Sequence, residues 1–211
     1  MLKSKLVVQV DMELQSLIIL ALVFLGADCA LNATSCGEYK CPTFTVDFKG
    51  DGFERRFYTD AVWMKASAVG NYKDATSNTY NRLKQYIGGD NEKNISIPVS
   101  IPIVTMMWPE GNTTVLSNFT QFIFIEPTFT PAPVPNDKSI TKTAVPPKHM
   151  YIRSFSTPVA TIPEWLAEAK KLKDAINDEK KYWGSFFFTA EYNRDSLNQG
   201  EHYNEVWFYA F

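Results

Sequence analysis

The chain has 211 residues, 45% of them hydrophobic, and a formal net charge of −2, an ordinary globular composition with enough apolar material for one well-filled core. No lysine- or arginine-rich block stands apart from acidic neighbours. That argues against a nucleic-acid partner, which needs a phosphate-backbone footprint, and against a polybasic membrane patch.

Lys3 and Lys5 precede an apolar stretch from Leu14 to Ala27, LQSLIILALVFLGA, followed by small residues and then a polar chain. This is the layout of a cleaved secretory signal over residues 1–30, and the stretch is short for crossing a bilayer. Asp11 and Glu13 interrupt the basic start, so Met12 is an alternative beginning and a retained signal anchor an alternative outcome. Cleavage near Ala27 to Ala33 leaves about 180 residues, one domain in size, exported and without an integral membrane span.

Cys29 falls in or beside the cleavage region, which leaves Cys36 and Cys41, in CGEYKC, able to close a short loop in an oxidising compartment. Two cysteines at this spacing and two histidines in the chain make a poor zinc site, so no structural metal is expected. Residues 31–42 then form a cysteine-containing segment ahead of a single domain over 43–211. Asn32, Asn94, Asn112 and Asn118 each begin an N-x-S/T sequon, usable in an exported chain where it reaches the surface.

FTVDFKGDGFERRFYTDAVWM reads as a hairpin turned by Gly-Asp-Gly at 50–52. That G-x-G precedes no helix, so a dinucleotide fingerprint fails. The first helix follows, with Asp74 as its cap and Tyr80, Leu83 and Ile87 at helical spacing. Gly88-Gly89 comes after the last apolar position, where a left-handed residue ends a helix, so the pair is a stop signal; a phosphate loop needs its glycines before a helix. The following DNEKN lacks the alternating acids of a calcium loop.

ISIPVSIPIVTMMW predicts a strand with Ile97, Val99, Ile101 and Ile103 on one face and Pro98 and Pro102 on the other, at an edge or bulged because proline cannot donate to a ladder. QFIFIE, 121–126, is apolar on both faces and predicts a more buried strand. The stretch from Glu126 to Lys148 holds six prolines and reads as a surface connector. The earlier order then returns. HMYIRSFSTPVAT is a strand with an arginine near its middle, and the second helix carries a Thr161/Glu164 capping box, Pro163 in its first turn and a stripe of Trp165, Ala169, Leu172 and Ile176. YWGSFFFTAEY (182–192) and NEVWFYAF (204–211) are closing strands. Strand, helix, strand, strand, twice over, predicts an α+β fold in which two halves build one curved antiparallel sheet with two helices packed on it.

GDGFERRFYTDAVWM, RLKQYIGGDNEKNISIPVSIPIVT, PAPVPND, YIRSF, EWLAEAKKLKDAI and the terminal NEVW, in that order, together resemble the SOUL heme-binding protein family from about Cys41 to Phe211. The resemblance implies a distorted antiparallel β-barrel of doubled βαββ topology, shared with GyrI-like domains. It also implies a hydrophobic groove binding heme or another tetrapyrrole noncovalently, between the first helix and the loop before the last strand. By that correspondence Ser77, Tyr80 and Lys84 form the ligand-facing stripe of the helix, and the loop runs from Asn193 to Tyr203. Members resembling the porphyrin carriers have flexible apolar side chains such as methionine on that helix, where this chain has Tyr80 and Lys84. Tyr80 is suited to stack on or ligate a porphyrin, and Lys84, one turn on, to meet a propionate.

His202, at the end of the loop, is the candidate axial ligand for iron, against the alternative of a turn histidine facing water. His149 starts a strand and reads as structural. The expectation is an apolar slot with weak or no protein ligation. No G-x-S-x-G elbow, H-E-x-x-H helix or P-loop appears, so the chain is read as a binding protein and not an enzyme. His202 and Glu205, three apart at a strand start, are expected to face opposite ways. Two alternatives stand beside this reading: a GyrI-like hydrolase of small molecules with Glu191 as base, and a secreted interaction module binding another amphipathic ligand.

Overall fold

The computed structural model describes residues 36, 39–157, 159–193 and 202–211. Residues 1–30, expected to be a signal, with Cys29, Asn32 and most of the loop from Asn193 to Tyr203, lie outside the described residues. Among the described residues no helix is long and apolar enough to cross a membrane.

β1 (Phe44–Gly50) and β2 (Phe53–Tyr58) pair as the hairpin read from Gly-Asp-Gly. The turn needs Gly52: its φ is +73°, and the Arg153 guanidinium lies 2.6 Å from where a Cβ would stand. The expected hairpin does not extend to its third segment. β3 (Ala61–Val69) crosses to the far part of the sheet, where it lies between β7 (Asn118–Ile125) and β8 (Thr141–Val145). β8 corrects the reading of 126–148 as connector only. Its alternating side chains are unremarkable in sequence, and what makes it a strand is the open edge of β3.

The first helix, α1 (Tyr72–Ile87), is capped by Asn71 and not by Asp74. The Asn71 side chain accepts the Asp74 backbone N–H at 3.0 Å, so Asp74 occupies the first turn, where its charge favours the positive end of the helix dipole. The helix stops as read: the Gly88 N–H donates to the Lys84 carbonyl at 2.9 Å, and Gly89 takes φ +118°. Beyond it, fully buried Asn91 donates to the carbonyls of Tyr86 and Ile95 at 3.1 and 2.8 Å, holding the following loop against the helix end.

The segment after that loop corrects the sequence reading. Only Ile103–Met107 forms a strand, β4, and it lies in the middle of the sheet between β7 and β10 (Phe187–Glu191). Pro98 and Pro102 both precede it. The alternation before Ile103 still sorts burial in part, with Ile97 and Ile101 inside, but Val99 is exposed and Ser100 buried, its hydroxyl donating to the Phe124 carbonyl. A side ribbon, β5 (Pro109–Glu110) with β6 (Thr114–Val115), carries Asn112 in its turn.

In the second half, β9 (Lys148–Ser156) leads to α2 (Ile162–Ile176), then β10 and β11 (Tyr203–Tyr209). The capping box is formed: the Glu164 carboxylate accepts the Thr161 N–H at 2.7 Å and its hydroxyl at 2.8 Å. The nine-stranded antiparallel sheet runs β1-β2-β9-β11-β10-β4-β7-β3-β8. From the central β4–β10 pair it therefore proceeds β7-β3 on one side and β11-β9 on the other, which is the doubled βαββ arrangement.

Strand alternation separates the sheet's two faces. On one face α1 covers Met64, Ala66, Ile123 and Ile125, and α2 covers Tyr151, Val206 and Phe208 with Trp165 and Leu172 fully buried between. The other face carries Trp63, Phe124, Phe188 and Trp207. Tyr58 and Val145, from strands near opposite ends of the sheet, line one cavity on that helix-free face. The sheet thus curls into a distorted half-barrel with its helices outside.

Candidate functional site

A cleft of about 670 Å³ opens on the helix side. Three pieces of chain form it: the first turns of α1 from Asn71 to Ser77, the start of α2 with the residues just before it, and the strand ends at Glu191 and His202. Hydrogen bonds bring the last two together. The Tyr203 N–H donates to the Asn193 side chain at 3.2 Å, the Tyr192 N–H to the Tyr203 carbonyl at 3.2 Å, and the Thr157 N–H to the His202 carbonyl at 3.3 Å. Asn204, buried, donates to the carbonyls of His202 and Thr157 at 3.2 and 3.4 Å.

Both helix N-termini point into the cleft, since the caps Asn71 and Thr161 are part of its wall. Each contributes the positive end of a helix dipole, although Pro163 leaves α2 without one N–H there and Asn71 already accepts the third N–H of α1; Lys73 adds a cation and Glu191 a carboxylate. The apolar wall comes from Tyr72, Val159, Ala160, Ile162 and Trp165. Trp165 is fully buried, and its Nε1–H is the one buried side-chain polar atom without a hydrogen-bond partner among the described residues. An unanswered donor of this kind costs about 1 to 3 kcal/mol unless something accepts from it. The Tyr72 hydroxyl donates to Glu191 Oε1 at 3.4 Å. The wall thus mixes polar groups into a mainly apolar lining.

The structure divides the residues expected to meet a ligand. Ser77, exposed, and His202, half-buried, both line the cleft. Tyr80 and Lys84 do not, since they sit one and two turns further along α1. Tyr80 packs partly into the core beneath α1, and the Lys84 ammonium lies 5.8 Å from its ring. Tyr203 faces the half-barrel interior, where its hydroxyl donates to Glu205 Oε1 at 2.8 Å. Burial, then the Glu205 charge, pushes the Tyr203 phenol up to about 12. Glu191, the candidate base of the alternative reading, lines the cleft near His202. His149 pairs with Asp47 at 2.9 Å and meets the Phe57 ring at a tilt, and it does not line the cleft. Among the described residues no cluster of histidine, cysteine and acidic groups could hold a metal ion.

Sequence reasoning missed Tyr72 and Trp165 as cleft residues. Trp165 was absorbed into the core stripe of α2, and only its unpaired N–H separates it from its neighbours. A second omission lies on the concave face. Arg56, buried in β2, meets fully buried Glu205 at 2.8 Å, and Glu205 also accepts from Tyr192 at 2.9 Å and Trp207 at 2.7 Å. Burial pulls the Arg56 guanidinium down, but the Glu205 charge together with Tyr58 and Tyr192 outweighs it and the group is held above its ordinary range.

A doubled βαββ half-barrel with a ligand-sized cleft against its paired helix starts is thus the class that fold and site define. The chain belongs to the SOUL heme-binding protein family, whose profile matches residues 39–209. Heme-binding protein 1 of Xenopus laevis is 24% identical over 161 residues, spanning 75% of this chain and 84% of that protein. Heme-binding protein 2 of Homo sapiens is 28% identical over 191 residues, spanning 85% of this chain and 88% of that protein. The solved C-terminal domain of EcmrR is similar in fold alone, with a TM-score of 0.52 at 6% identity over 75% of this chain and 96% of that domain.

Proposed function

We propose that this protein is a secreted, noncovalent carrier of heme or another tetrapyrrole, and that the ligand sits in the cleft between the two helix starts. The observation that carries the reading is the convergence of both helix N-termini on a slot that also holds the unpartnered Trp165 N–H. A tetrapyrrole needs a wall for a flat ring, positive charge for its propionates and, optionally, an axial ligand. The residues present fit those needs. Tyr72, Ile162 and Trp165 supply ring contacts, Lys73 with the positive ends of both helix dipoles supplies the anion site, and His202 is within the wall as an optional ligand. The iron, when bound, supplies only a coordination position, and retention rests on the slot.

Binding, and not turnover, is the role the family membership favours. Export is supported by the basic-then-apolar N-terminus and by the placement of three sequons: Asn94, Asn112 and Asn118 are all exposed, and each is open to glycosylation.

Titrating the mature protein with hemin and with iron-free protoporphyrin tests the proposal. Similar affinities for both, each weakened at least tenfold in Ser77→Trp, are expected. Strong iron dependence that disappears in His202→Ala would replace the slot by ligation, and failure to bind either compound would end the proposal.

A further inference from the structure

The helix-free face of the half-barrel forms a second, open pocket of about 270 Å³ that shares none of its lining residues with the cleft. Its lining is mostly apolar and it opens to solvent, so a guest from solution can reach it. We propose that it is a binding site for a small planar carboxylate, a bicyclic aromatic acid in size, and that Lys65 and Lys148 recognise the carboxylate.

Size sets the first limit. An apolar cavity of about 150 Å³ accepts benzene. On that scale this one takes roughly ten or eleven non-hydrogen atoms, a fused pair of rings, and is too small for four linked pyrroles. The walls set the shape. Trp63, Phe122, Phe186, Phe188, Trp207 and Tyr209 surround the space, and flat aromatic surfaces favour a flat apolar guest.

Charge decides the class. Lys65 and Lys148 are the charged side chains in the wall, and they come from β3 and β9, the first strand of each βαββ half. Lys65 is half-buried and Lys148 exposed, so the cationic part lies toward the mouth and the aromatic part inside. Among the described residues no carboxylate stands within 4.0 Å of either ammonium. Glu205, the buried acid on the same face, is held by Arg56 at 2.8 Å and does not line the cavity. The site therefore has an apolar body and a positive rim with no internal counter-ion, complementary to an aromatic acid and not to an aromatic cation.

Calorimetric titration of the mature protein with 2-naphthoate, its neutral isostere 2-naphthamide and 2-naphthylmethylammonium tests this. Naphthoate is expected to bind at least tenfold more tightly than the amide, with the ammonium weakest, and Lys65→Met/Lys148→Met is expected to erase the preference while leaving the melting temperature unchanged. Saturation with hemin is expected to leave the naphthoate affinity unaltered, which separates this site from the cleft. Absence of naphthoate binding, equal affinity for acid and amide, a preference that survives in the double variant, or displacement by hemin would each overturn the proposal.

Discussion

Glu205 has no exposed surface, yet it carries a full charge partner and a ring of donors: Arg56, Tyr203 and Ser154 on one oxygen, Tyr192 and Trp207 on the other. A carboxyl group is tolerated in an apolar interior only when its oxygens are answered this way. Burial, and then the Glu205 charge, pushes the Tyr192 phenol upward, so it stays a donor across the physiological range. Glu205→Gln leaves Arg56 short of its buried anion, and a loss of about 3 to 5 kcal/mol is expected in urea unfolding. Arg56→Met/Glu205→Gln is expected to lose less than the sum of the single variants, because neither then strands a buried charge. Asp137 works the other way, near the surface. Hydrogen bonds from Ser139 and Arg82 hold its carboxyl at about 2, below the ordinary 3.8. The folded value is depressed, so the stabilisation is complete above about pH 4 and is lost as pH falls toward about 2. Melting curves over that window are expected to show a slope in the parent that is reduced in Asp137→Asn.

At the scale of elements, capping chemistry was legible in one helix and displaced in the other. Thr161 and Glu164 are three apart and form a reciprocal box that depends on nothing outside the turn. Asn71 took the role assigned to Asp74 because the chain leaves β3 at Gly70 and enters the helix three residues earlier than the apolar period alone indicates. Asn71→Ala is expected to cost about 1 kcal/mol in thermal or urea unfolding, whereas Asp74→Asn leaves the cap in place and should cost less. Residues 95–102 show the limit of periodicity: alternation there predicts a strand, but with two prolines the segment never joins the ladder, and Ser100 bonds its hydroxyl to the Phe124 carbonyl instead. The family resemblance likewise put Ser77, Tyr80 and Lys84 on one ligand-facing stripe, yet the cleft reaches only the first two turns of α1, so Ser77 alone of the three lies in it.

Across the whole molecule, the Cys36–Cys41 disulfide closes a small loop ahead of β1, with Cys36 buried in the core of the helix-free face. The Lys40 carbonyl accepts the Ile101 N–H at 2.9 Å, and the Lys40 ammonium pairs with Glu126 at 3.3 Å, so the small loop is docked as well as closed. The two cysteines are five apart in sequence. A loop this short restrains little of the unfolded chain, and Cys36→Ser/Cys41→Ser is expected to lower stability by about 2 kcal/mol, read by urea unfolding. The docking contacts add to this only if they loosen with the bridge, which amide exchange at Ile101 would report.

The sequence alone determined what neighbours along the chain enforce: the repeated strand-helix-strand-strand order, the glycine turn at 50–52, the stop at Gly88-Gly89, the capping box and the pairing of two nearby cysteines. These depend on backbone sterics and periodic burial within about a dozen residues. Only the tertiary structure decided that β3 leaves its hairpin to lie beside β7, that a proline-rich connector holds β8, that Arg56 meets Glu205, and that Trp165 and Tyr72 border the cleft. Each of those joins segments far apart in sequence. Such pairings are selected by the shared burial of apolar faces and the demand that every buried polar group find a partner, and no local pattern encodes which distant strand or side chain will answer.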